Sequence, residues 1–73
     1  MPSIDMTATG VNIKETMKKK GISITQMQKA FGFNTPQAIY KWFRGAAMPT
    51  IDNMVILAAI FDTTIDQLII VNK

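Results

Sequence analysis

Counted at about 100° per residue, the segment that follows Pro36 sorts its side chains by chemistry. Gln37, Tyr40, Lys41 and Arg44 fall on one side, and Ile39, Trp42 and Phe43 on the other. A helix of this kind sinks its apolar stripe into a core and holds out an amide, a phenol, an ammonium and a guanidinium. Such groups bond the base edges and phosphates of duplex DNA. Gln37 lies in the first turn, where a carboxamide can hold adenine at two points. Lys41, one turn on, reaches a guanine or a phosphate. Ala38 is small enough either to meet a thymine methyl or simply to pack. Arg44 stands near the helix end as a phosphate clamp. Tyr40 either donates its hydroxyl to a phosphate or keeps a half-buried ring with a wet tip. Trp42 shares the stripe of Ile39 and Phe43, so it is read as core rather than as a stacking platform.

These groups need elements to hold them, and the punctuation of the chain supplies five helices. Residues 1–8 read as a flexible lead-in. A first helix, about 9–20, carries Ile13 and Met17 one turn apart and stops at Gly21. Its closing Lys18-Lys19-Lys20 suits the negative end of the helix dipole, and that reading is preferred to DNA contact. Ser23 with Gln26 forms a capping box for a second helix, about 23–31, which Gly32 closes. The free N–H groups at its start form an anion site, with Ser23 and Thr25 beside it. Thr35 is read as N-cap of a third helix, about 36–44, with Pro36 as its first residue and a phosphate contact as Thr35's second role. Thr50 caps a fourth helix, about 50–61, and Thr64 with Gln67 forms a second capping box for a fifth, about 64–71. No run alternates well enough to predict a strand. The expected fold is all-α, a compact five-helix bundle containing a helix-turn-helix, in one domain over residues 9–71.

Composition narrows the function. The 73 residues contain no cysteine and no histidine, and only five carboxylates. That removes disulfides, thiolate metal sites and the commonest general base, so neither enzyme nor metal or cofactor site is expected. The net charge of +3 is unevenly placed. Up to Gly45 seven basic residues face Asp5 and Glu15, a net +5; beyond it Lys73 faces Asp52, Asp62 and Asp66, a net −2. A basic first half suits a polyanion and leaves the other end a different task. The longest apolar run, Met54–Phe61, is eight residues, against the roughly 20 that span a bilayer. The opening residues lack the pattern of a secretory signal, so a cytoplasmic protein without a membrane role is expected.

Gly21, Ser23, Met27, Phe31, Gly32, Ile39, Trp42, Arg44-Gly45, Pro49, Met54, Leu57, Ala58, Phe61, Ile65 and Leu68 together form an ordered set of caps, glycines and apolar steps. Over about residues 10–70 this set resembles the Cro/lambda-repressor-like (XRE-type) helix-turn-helix family. The resemblance implies that helix 3 enters the major groove and that the N-terminus of helix 2 faces phosphate. Three features depart from the family. The interval from Gly32 to Gly45 is one residue longer, absorbed in Asn34-Thr35-Pro36. Gln28 replaces a usual alanine. The family's Arg in helix 1 and Glu at the end of helix 3 are here Met17 and Phe43, predicted to touch. Ile24 also occupies a position often held by Gln.

The resemblance and the pattern together nominate Gln37, Ala38 and Lys41 for bases, and Ser23, Thr25, Thr35, Tyr40 and Arg44 for phosphates. Helix 4 is apolar on both sides, with Ile56, Ala59 and Ile60 opposite its core stripe, and Ile69 and Ile70 extend the apolar end of helix 5. A helix apolar all round is usually buried all round. A homodimer through Ile56, Ala59, Ile60, Ile69 and Ile70 is therefore expected, rather than a cover formed by the N-terminal segment around Ile4 and Met6. The expected function is a regulator, a repressor, on a palindromic double-stranded DNA operator. The competing reading is a protein-interaction module of the same fold, an antitoxin-like or antirepressor partner that uses the apolar surface of helices 4 and 5.

Overall fold

The computed structural model describes residues 2–72, so Met1 and Lys73 lie outside the described residues. The elements run β1 (Ser3–Ile4), α1 (Met6–Lys19), α2 (Ile24–Phe31), α3 (Gln37–Arg44), α4 (Ile51–Phe61), α5 (Ile65–Leu68) and β2 (Val71–Asn72). Every helix sends side chains into one core of Ile13, Met17, Met27, Ile39, Trp42, Met54, Leu57, Phe61 and Leu68. In α1 the buried residues Thr9, Ile13 and Met17 recur at four-residue spacing, which lays them along one stripe of the helix.

The ends of the chain depart from the sequence expectation. Residues 3–8, read as a lead-in, hold β1 and the first turn of α1. Asp5 is the N-cap, and its Oδ1 accepts from the Ala8 N–H at 2.9 Å. β1 and β2 pair antiparallel, Ser3 opposite Asn72 and Ile4 opposite Val71, where no strand was expected. Helix α5 is four residues long rather than eight, with Ile69 already extended at φ −84°, ψ 129°.

The cause is a set of hydrogen bonds offered to the backbone beyond Leu68. The Asp5 N–H donates to the Ile70 carbonyl at 2.8 Å. The buried Thr9 hydroxyl accepts from the Ile70 N–H at 2.9 Å. Asn12 Nδ2 donates to the carbonyls of Gln67 at 2.9 Å and Leu68 at 3.0 Å. Partners from α1 thus replace helical ones, and the β-branched run Ile69-Ile70-Val71 favours the extended form. The second capping box is half made: Thr64 Oγ1 accepts from the Gln67 N–H, but Gln67 Oε1 accepts from the Thr63 hydroxyl instead.

Two glycines set how α1 meets α3. A Cβ on Gly10 would overlap the Trp42 carbonyl oxygen and lie 2.7 Å from that of Phe43. A Cβ on Gly45, at φ 73°, would stand 2.7 Å from the Thr7 Cα. Only glycine allows these backbones to approach so closely. Gly10 gives up about 1 kcal/mol of helix propensity relative to alanine, and in return seats the last turn of α3 directly on α1.

Candidate nucleic-acid interface

The turn between α2 and α3 is built on aromatic rings. Gly32 caps α2 in the left-handed region, and the chain returns through Phe33. Phe31 and Phe33 stack at 5.2 Å with an 11° interplanar angle. Both meet Trp42 edge-on, at 5.3 Å and 5.9 Å. Such pairs add about 0.5–1.5 kcal/mol beyond area burial, so the trio fixes the angle at which α3 leaves the turn. Trp42, 4% exposed, is core as expected. Phe33 was not singled out from the sequence. Its signal was a second aromatic directly after the helix-closing Gly32, in a turn otherwise read only for caps.

The longer turn moves the cap. Thr35 was expected to cap α3, yet Pro36 occupies that position, with φ −83°, ψ 6° and no side-chain cap bond. The Pro36 carbonyl accepts from the Tyr40 N–H at 3.1 Å, so helical bonding begins there and Thr35 falls one residue outside. α3 therefore starts at Gln37, and Thr35 is exposed. At α2 the capping box forms in full: Ser23 Oγ accepts from the Gln26 N–H at 3.1 Å, and Gln26 Oε1 from the Ser23 N–H at 2.8 Å. The Ser23 hydroxyl is left with its own proton to donate.

The α3 stripe sorts as the sequence indicated. Ile39 is 0% exposed, while Gln37, Tyr40, Lys41 and Arg44 are exposed. Ala38 is half-buried, so its methyl packs inward in part and keeps part of its surface open. The Tyr40 ring leans edge-on against Phe43 at 6.3 Å. Ser23 and Thr25 are exposed at the start of α2. Four hydrogen-bonding or cationic groups thus share one uncovered helix face, beside a second helix N-terminus. Met17 is 6% exposed and Phe43 is half-buried on the core, and the two line the same groove.

The nominated dimer residues divide. Ile56, Ala59 and Ile70 are exposed, whereas Ile60 and Ile69 are half-buried and pack against the core. Ile69 packs inward just beyond the end of α5, and Ile60 lies beside the buried Phe61 stripe. The freest apolar groups on α4 are instead Ile51 and Val55, at 71% and 54%. With Ala59 they form one row at four-residue spacing, which the sequence reading passed over. The N-terminal segment pairs with β2 through its backbone and leaves this row uncovered.

Among the described residues no group of His, Cys, Asp or Glu could hold a metal, and no helix is long and apolar enough to cross a membrane. No curated protein and no solved structure matched the chain in comparison. A helix-turn-helix family model matches residues 13–68, a span that runs from the middle of α1 to the end of α5. The chain belongs to the XRE-type, Cro/lambda-repressor-like helix-turn-helix family of DNA-binding transcription regulators.

Proposed function

We propose that the protein is a sequence-specific repressor that binds a roughly palindromic operator as a homodimer, in the cytoplasm and on the nucleoid. The observation that carries this reading is the uncovered face of α3, polar and cationic, above a stripe buried to completion at Ile39. In the reading, Gln37 and Lys41 meet base edges and Ala38 borders a thymine methyl. Tyr40, Arg44, Thr35, Ser23 and Thr25 hold phosphates on either side. Two-fold pairing through α4 and Ile70 sets the α3 helices about 34–36 Å apart, one helical turn of DNA.

Selection of bound duplexes from a random pool, with oligomeric state measured in the same buffer, tests the whole reading. A single enriched palindrome bound by a dimer is expected. Against that duplex Gln37→Ala should cost about 1–3 kcal/mol and relax preference at one position. Arg44→Ala should weaken all duplexes alike and lower the slope of log K against log salt by nearly one. A pool that yields no enriched sequence overturns the repressor. The exposed row Ile51, Val55 and Ala59 would then favour a protein-interaction module of the same fold.

A further inference from the structure

A groove of about 430 Å³ runs between α1 and α3, open to solvent, with the first residue of α2 at its edge. Its apolar surface is Met17, Ile24, Phe43 and the Tyr40 ring; its charged rim is Lys14 and Lys18 from α1 and Arg44 from α3. No lining residue carries a carboxylate, and Glu15, next to Lys14 in the chain, lies outside the lining. Lys18 also lies in the last turn of α1, at the negative end of the helix dipole. Lys14 is exposed one turn earlier on the same helix. The fold brings both to one rim with a cation of the recognition helix.

The combination selects its occupant. Three cations around a cleft call for an anion, and low-dielectric walls strengthen that call. A bare phosphodiester would satisfy the rim and leave Met17, Ile24 and Phe43 facing a group with no apolar body. A free small molecule needs a site that covers most of its surface, whereas this groove stands open to solvent along its length and suits an extended occupant better. A polypeptide segment brings its own scaffold and needs only anchor side chains in the cleft. We infer that this groove receives an acidic, apolar segment of a partner protein. One or two large apolar side chains rest on Met17, Ile24 and Phe43, and flanking carboxylates pair with Lys14, Lys18 and Arg44.

Tyr40 and Arg44 belong to both this groove and the proposed phosphate contacts, so segment and operator exclude each other. The exclusion rests on the DNA reading above, whereas occupancy of the groove does not.

The probe is a phage-displayed library of random 12-residue peptides, panned on the full chain. Enriched peptides should carry Leu, Phe or Trp flanked by Asp or Glu. A synthetic copy should bind at least 10-fold more weakly to Ile24→Gln and to the Lys14→Gln, Lys18→Gln double variant, each verified as folded by circular dichroism. Enrichment without the acidic–apolar pattern overturns the inference, as does a peptide indifferent to both variants. Oligomers beyond a dimer that Ile24→Gln dissolves also overturn it, because the occupant is then a second copy of the chain. The peptide should release the duplex selected above; a complex that holds both overturns the exclusion. If no duplex is ever selected but the peptide binds as stated, the DNA reading fails and the groove assignment stands.

Discussion

Helices α3 and α4 solve opposite problems. On α3 the division is sharp: Ile39 and Trp42 are buried, and the face away from them is amide, phenol and cation. On α4 the core residues Met54, Leu57 and Phe61 are equally buried, yet the exposed face, apart from Asp52 in the first turn, is Ile51, Val55, Ile56 and Ala59. One helix is finished by water or by a polyanion. The other leaves apolar surface that water does not reward. On the proposed reading, α3 is the part that reads DNA and the outward row of α4 is the surface through which two copies associate. The two surfaces also differ in how they are held. α3 is pinned by the Phe31–Phe33–Trp42 rings and by the glycine-spaced contact with α1. Among the described residues the outward row of α4 has no such neighbour.

The largest break in this comparison is Trp42→Ala. It removes the centre of the aromatic trio and a 4% exposed side chain from the core. The expected cost is about 3–5 kcal/mol, a large part of the stability of a domain this small. Thermal unfolding followed by circular dichroism should show it as a collapse of the melting temperature. A fall of only a few degrees would mean that the rings do not fix α3.

The converse break is Ile51→Asp combined with Val55→Asp. Both positions are exposed on α4, so helix content should be unchanged and the melting temperature should move little. Sedimentation should show a monomer. Affinity for a palindromic duplex should fall about 100-fold with the loss of the second contact, while a half-site is bound as before. A double variant that remains dimeric places the association surface elsewhere, with the β1–β2 ribbon the next place to look.

How much of this was legible in the residues follows from how local each signal is. Caps and stops act within four residues, and Ser23–Gln26, Thr50, Gly32 and Gly45 read correctly. The two-sidedness of α3 read correctly because polar and apolar residues alternate at helical period. α4 is nearly uniform, so periodicity could not tell Ile51 and Val55 from Ile60; only the position of the core decides. The ends failed for a non-local reason. Whether the chain continues as a helix past Leu68 depends on bonds from Thr9 to Ile70 and from Asn12 to Gln67, 61 and 55 residues apart, and no window on the sequence contains both. Thr35 was displaced by one residue of turn length, a distance to which cap signals are blind. Lys14 and Lys18 became neighbours of Arg44 only through the packing of α1 on α3.

The smallest effect concerns how the two helices end. α3 stops at Gly45, where φ 73° costs a glycine little, whereas α4 stops at Asp62 with φ 53°. Two burdens meet at Asp62: a left-handed backbone that most side chains avoid, and a carboxylate at the negative end of a helix dipole. Aspartate tolerates the first better than most residues, so the charge should dominate. Asp62→Asn keeps the shape and removes the charge, and should raise the melting temperature by ~2–4 °C at low salt. In 1 M salt, where the screening length falls to about 3 Å, the gain should largely vanish. Asp62→Gly relieves the backbone as well, at the expense of a more disordered unfolded chain, and should gain no more than Asp62→Asn. If glycine gains clearly more, and its gain survives high salt, backbone strain rather than charge separates the end of α4 from that of α3.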